Sequence, residues 1–139
     1  MKRPEDLTRF TEAQNTQYAI ALAEITKGRK ISHWMWYIFP QIKGLGFSEM
    51  ARFYGINDVQ EAKEYVNHPI LGKRLIQISQ VLLGLNGNNA NAVFGSPDDL
   101  KLKSCMTLFA SVSSEPVFQQ VLDKFFDGNK DERTLQMIS

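Results

Sequence analysis

The side chains able to do chemistry in this chain are few, and several gather in one stretch. Ser32 and His33 open the aromatic run from Trp34 through Met35, Trp36, Tyr37, Ile38 and Phe39 to Pro40, with Lys27, Arg29 and Lys30 just upstream. If Ser32 caps a helix here, the first N–H groups of that helix and the neighbouring cations make an anion site. Trp34 and Trp36 would add flat faces for stacking or cation–π contact. The same three cations also suit the C-terminal end of a preceding helix, where they complement its dipole without any ligand.

A second set lies far along the chain. Lys101, Ser104, Leu108 and Ser111 recur at helical spacing and share one face. Lys101 and Ser104, one turn apart, could act on one ligand, and Ser–Lys pairs serve as nucleophile and base in some hydrolases. A solvated helix face explains the same spacing. His33 and His68 lie 35 positions apart and show no metal-ligand spacing, so no metal site is expected. His68, before Pro69, is expected to hydrogen-bond a helix-terminal carbonyl. Cys105 falls on an apolar face and reads as a small core residue. The stretch Gly44-Leu45-Gly46-Phe47-Ser48-Glu49 begins like a dinucleotide fingerprint but ends in Glu, with no strand before it. No P-loop or nucleophile elbow occurs, and nothing points to a cofactor.

Helices must position these groups. Leu7, Phe10, Gln14, Tyr18, Leu22 and Ile25 form a core-facing stripe, with Asp6 as its N-cap and Gly28 as its end. Gln14 is the polar member of that stripe, so its amide must find partners as a core fastener or as part of a site. The segment from Ile31 to Pro40 has strand propensity, but no second strand exists to pair with it. It is therefore read as a short buried helix capped by Ser32. A loop follows from Gln41 to Gly46, and a short helix from Phe47 to Tyr54 ends at Gly55. Asp58 caps the next helix in a capping-box-like start with Glu61. Pro69 takes the first turn of another, with Leu71, Leu75, Ile78 and Leu82 inside. Gly84 to Asn91 is a loop, and Ala92 to Gly95 make at most one turn. Ser96 caps and Pro97 starts a helix holding Leu102, Cys105, Met106, Phe109 and Val112. Ser114 and Pro116 open another, with Phe118, Val121, Leu122 and Phe125 inside. Asp131 caps a last helix with Leu135 and Ile138. The expectation is an all-α, compact single domain spanning residues 1–139, with about seven or eight helices and a buried aromatic segment near residues 32–40.

Bulk numbers agree. A chain of 139 residues with 43% hydrophobic and 22% charged side chains is ordinary for one globular domain. Sixteen cations against fifteen anions leave a net charge of +1, which gives no push toward nucleic acid or membrane. One cysteine excludes a disulfide framework and suits a reducing compartment. The N-terminus lacks a signal-peptide core, and no apolar run approaches a bilayer span. A soluble, cytoplasmic protein is the default expectation.

Three segments carry a resemblance: Ser32 to Gln41, His68-Pro69-Ile70-Leu71-Gly72, and Phe94 to Phe109. Together they resemble the DUF1810 family, a bacterial family of unknown function, and the resemblance runs from about Leu7 to Leu135. It implies a multihelical single domain and no established reaction, cofactor or catalytic residue. Where the family usually carries a second serine, this chain has Cys105, so a role needing a hydroxyl there is not expected. A calpastatin-like label is sometimes attached to the family. Calpastatin inhibitory segments are disordered, unlike a chain with this much core.

The matched stretches hold polar groups that packing alone does not demand. His33, Gln41, Lys101, Ser104 and Gln14, converging beside Trp34 and Trp36, would outline a pocket for a small anionic or nucleotide-like ligand. That is the favoured reading, as an enzyme or a binding protein. The alternative is a non-catalytic protein–protein interaction module, which predicts an exposed apolar patch and no polar pocket.

Overall fold

The computed structural model describes residues 7–139, so the expected cap at Asp6 lies outside the described residues. Nine α-helices run along them: α1 Thr8–Thr26, α2 Met35–Ile38, α3 Glu49–Tyr54, α4 Val59–Asn67, α5 Leu71–Leu83, α6 Ala90–Phe94, α7 Asp98–Val112, α8 Val117–Phe126 and α9 Glu132–Ile138. The all-α reading holds among the described residues, where the only extended pairing is an isolated bridge between Ile42 and Ile56. The count exceeds seven or eight by α6, which begins at Ala90 inside the expected Gly84–Asn91 loop because Asn89 caps it.

Two helices organise the packing. α5 lies against α1, α4 and α8, while α7 lies against α4, α6, α8 and α9. A chain of aromatic contacts threads the core: Phe10 meets Tyr65 edge-on at 5.1 Å, Tyr65 meets Phe109 at 5.4 Å, and Phe109 meets Phe118 at 5.8 Å. These rings join α1, α4, α7 and α8, and each such pair adds about 0.5–1.5 kcal/mol beyond the area it buries. Gln14 is buried within the α1 stripe as a fastener. Its Nε2 donates to the Tyr37 carbonyl at 2.7 Å and to the Tyr65 hydroxyl at 3.0 Å, and its Oε1 accepts from Arg74 at 3.3 Å.

The aromatic segment sits where its composition requires. Trp34, Met35, Tyr37, Ile38 and Phe39 are buried, whereas Trp36 is half-buried. Trp34, Phe39 and Phe94 form a triangle of rings that ties the segment to α6. Ser32 does not cap α2, because the helix begins only at Met35 and Ser32 lies too early to reach its amides. The Ser32 hydroxyl and backbone N–H instead donate to Glu24, at 2.6 Å and 2.9 Å.

Other caps divide by position. Asp58 and Asp131 accept from the backbone N–H three residues on, at 2.8 Å and 3.2 Å, as do Ser48 and Asn89. Each such cap adds about 1 kcal/mol. Ser96 does not cap α7: the helix starts at Asp98 and Pro97, in the N-cap position, offers no side-chain acceptor, so among the first amides it is Leu100 that finds a side chain, the Asp99 carboxylate at 2.9 Å. α5 begins at Leu71, so Pro69 falls in the turn before it. His68 works at a helix start rather than on a terminal carbonyl. Its Nδ1 accepts from the N–H groups of Ile70 and Leu71, at 3.1 and 3.2 Å, which satisfies amides that a helix start leaves open.

The 41–57 region is held by Arg9. Its guanidinium donates to the carbonyls of Phe53 and Gly55, both at 2.8 Å, and pairs with Glu61 at 2.9 Å. This satisfies carbonyls at the end of α3. Gly55 is needed for close approach, since a Cβ there would stand 2.8 Å from the Lys43 Cα. The Gln41–Gly46 loop is thereby pinned against the start of α4, in the position from which it faces α7.

Candidate functional site

α7 faces the Gln41–Gly46 loop on one side and α9 on the other, and a cleft of about 430 Å³ opens between them. From α7 it receives Leu100, Lys101, Lys103 and Ser104. The loop supplies Gln41 and Leu45, and α9 with its cap supplies Arg133 and Asp131. A narrower niche adjoins it, sharing Gln41 and Lys101 and otherwise walled by Met35, Trp36, Phe39 and Tyr54. Its free volume of about 10 Å³ holds one water at most.

Lys101 stands on the rim between the two spaces. Its ammonium lies 5.3 Å from the Trp36 ring centre and 3.5 Å from an oxygen of Asp98. The other Asp98 oxygen pairs with Lys30 at 3.0 Å. Lys30 also donates to the Ser32 carbonyl at 2.5 Å and lies 5.0 Å from the Trp34 ring. Of the upstream cations, Lys30 is thus committed to the fold, while Lys27 and Arg29 are exposed.

The floor of the cleft is built by hydrogen bonds between α7 and the start of α9. One Asp131 oxygen accepts from the Ser104 hydroxyl at 3.0 Å, from the Thr134 N–H, and from the Thr134 hydroxyl. The Asp131 N–H donates to the Thr107 hydroxyl at 2.9 Å. Ser104 is therefore a buried anchor, and the middle of the α7 face it shares with Lys101, Leu108 and Ser111 is covered, Ser104 being 7% exposed and Leu108 0%, while Ser111 stays exposed at its end. The reason is α9, which covers that face.

Among the residues singled out from the sequence, the fold brings Trp36, Gln41, Lys101 and Ser104 around this concavity. Trp34 is fully buried with its indole N–H on Glu24. Gln14 is spent on Tyr37, Tyr65 and Arg74. His33 is exposed and lines neither space. Sequence reasoning missed Lys103, Asp131 and Arg133 as members of the cleft. Asp131 was legible only as a cap, and nothing in the spacing of Lys103 and Arg133 reports that α9 folds back beside α7. Among the described residues, no group of three or more His, Cys, Asp or Glu could hold a metal ion. No described helix is long and apolar enough to cross a membrane.

The fold and the cleft define a compact helical domain with a cation-rimmed concavity. The chain belongs to the DUF1810 family, described as a protein of unknown function, whose model matches residues 4–138. It is similar to the crystal structure of the conserved hypothetical protein Rv1873 from Mycobacterium tuberculosis, with 42% identity, a TM-score of 0.94 and 98% of each chain covered. No curated protein matches it.

Proposed function

We propose that the cleft between α7, α9 and the Gln41–Gly46 loop binds a small anionic or nucleotide-like ligand. The observation that carries this reading is the excess of donors. Lys101, Lys103, Arg133 and the Gln41 amide line one concavity, against a single carboxylate, Asp131. Among the described residues, neither Lys103 nor Arg133 has a hydrogen bond or ion pair from its side chain, and Lys103 only approaches the Phe126 ring, at 6.0 Å. The side-chain amide of Gln41 also has no hydrogen-bond partner among them. The fold spends its buried polar groups on named partners, whereas these donors, half-buried at Gln41 and Lys103 and exposed at Arg133, stand open to a solute in the cleft. The test is a thermal-shift and calorimetric panel of nucleotides and phosphorylated metabolites on the wild type and Lys101→Ala. A ligand at 100 times its Kd should stabilise the wild type by about 2.7 kcal/mol. Lys101→Ala should lose most of that gain. No shift with any compound, or an equal shift in the variant, would overturn the reading.

A protein interaction module is the second reading, and one observation favours it. Phe47, Met50 and Phe53 are 70%, 38% and 43% exposed along the α3 region. On this reading, Phe47→Ser with Phe53→Ser abolishes self-association or partner capture measured by light scattering and pull-down. A wild-type chain that runs as a monomer and captures nothing counts against it.

A further inference from the structure

Resting on the small-anion reading of the same cleft, we infer that the ligand is a phosphate monoester, bound as the dianion, with a small apolar body. The first argument is charge. Three cations, Lys101, Lys103 and Arg133, and one carboxylate, Asp131, line the cleft, a surplus of two positive charges. Asp98 is shared between Lys30 at 3.0 Å and Lys101 at 3.5 Å, and counting that carboxylate together with Lys30 leaves the surplus unchanged. One oxygen of Asp131 is already occupied by Ser104 and Thr134, so its pull on the cations is partly spent. A monocarboxylate or a phosphodiester carries one negative charge and meets half the surplus. A monoester above its second pKa, about 6, carries close to two and offers three acceptor oxygens to the lysine and arginine donors.

The second argument is shape. Beside the cations the wall is apolar: Leu45 from the loop, and Pro97 and Leu100 from the start of α7, with Leu100 60% exposed. A short hydrocarbon or single ring would cover that surface. The niche behind Trp36 has room for no more than a water, and the Lys101 ammonium lies over the Trp36 ring, so a purine has no slot there. The structure therefore favours a small phosphorylated metabolite over a full nucleotide.

The charge argument sets a pH signature. The charged groups facing the ligand are Lys101 and Lys103 on α7 and Asp131 and Arg133 beside them, with Asp98 3.5 Å from Lys101 and Lys30 beyond it, and neither histidine lines the cleft. A phosphate monoester gains its second negative charge between about pH 5 and 7.5. The experiment is calorimetry with phenyl phosphate, methyl phenyl phosphate and benzoate, three probes with one body and different heads, on wild type, Lys101→Ala and the double variant Lys103→Ala/Arg133→Ala. Circular dichroism checks that the variants fold. Phenyl phosphate should bind about tenfold more tightly at pH 7.5 than at pH 5, equivalent to about 1.4 kcal/mol. The diester and benzoate should bind more weakly, the diester without that pH dependence. The double variant should remove the preference for the monoester. Equal affinity for all three probes, still lost in Lys101→Ala, overturns the dianion and leaves the small-anion site standing. Binding of none of them, with no response to the wider panel, overturns both.

Discussion

The indole N–H of Trp34 donates to Glu24 at 2.9 Å, and the same carboxylate oxygen accepts from the backbone N–H groups of Ile31 at 2.8 Å and Ser32 at 2.9 Å. The other oxygen takes the Ser32 hydroxyl at 2.6 Å. One side chain near the end of α1 thus gathers the turn that delivers the aromatic segment. Four hydrogen bonds converge on a group that no sequence motif marks.

That convergence predicts a pH dependence. Burial alone would raise the Glu24 pKa, but the donors from Ser32, Ile31 and Trp34 outweigh it and hold the carboxyl at about 2, against an ordinary 4.5. A folded pKa below the unfolded one contributes stability that is present above about pH 4.5 and lost as pH falls toward 2. Because the group is only partly enclosed, the contribution is on the order of 1 kcal/mol. Glu24→Ala should cost about 2–4 kcal/mol at neutral pH, since it strands the buried indole N–H and two backbone donors. Urea unfolding at pH 7 and pH 3 should show the gap between variant and wild type narrowing in acid. A gap that does not change with pH would refute the assignment.

Gln14 supports a second prediction. Gln14→Leu keeps the size but removes the partner of the Tyr65 hydroxyl, which burial keeps protonated far above the ordinary tyrosine range. It also strips a donor from the Tyr37 carbonyl and an acceptor from Arg74. The cost should be about 2–3 kcal/mol in chemical denaturation, through unsatisfied buried groups. A neutral or stabilising result would mean that water fills the gap.

Cys105 gives a third. It is fully buried, and burial pushes its thiol well above the ordinary range, so it stays protonated and shielded. An aromatic disulfide reagent should react with it only as fast as the chain unfolds. Cys105→Ser should cost only about 1 kcal/mol, because a serine in mid-helix can donate to the carbonyl four residues back. Thr107 and Ser111 on the same helix already do so. Rapid labelling under native conditions would contradict the burial argument.

Local chemistry was legible where partners lie within a few residues. Asp58 and Asp131 cap the helices that their spacing announces, and the Phe10–Gln14–Ile25 stripe is buried as its period requires. Ser32 and Ser96 share the same residue type and failed as caps, because a cap depends on the backbone beginning its helix at the next position. Here α2 and α7 begin later. The site was half legible. Lys101 and Gln41 carry polarity into otherwise packed segments, but the contact of Ser104 with Asp131 spans 27 positions, and only the turn between α8 and α9 decides it.

That junction has a dynamic consequence. α9 is seven residues long, too short to persist as a free helix in water. It is fastened to α7 through Asp131 and its bonds to Ser104 and Thr107. Its amides should exchange with solvent deuterium together, in a local opening well below global unfolding. Because Arg133 rides on this helix, anything gripping the cleft from both walls should slow that exchange selectively. Deuterium uptake over residues 132–138 would then report occupancy without the occupant's identity being known.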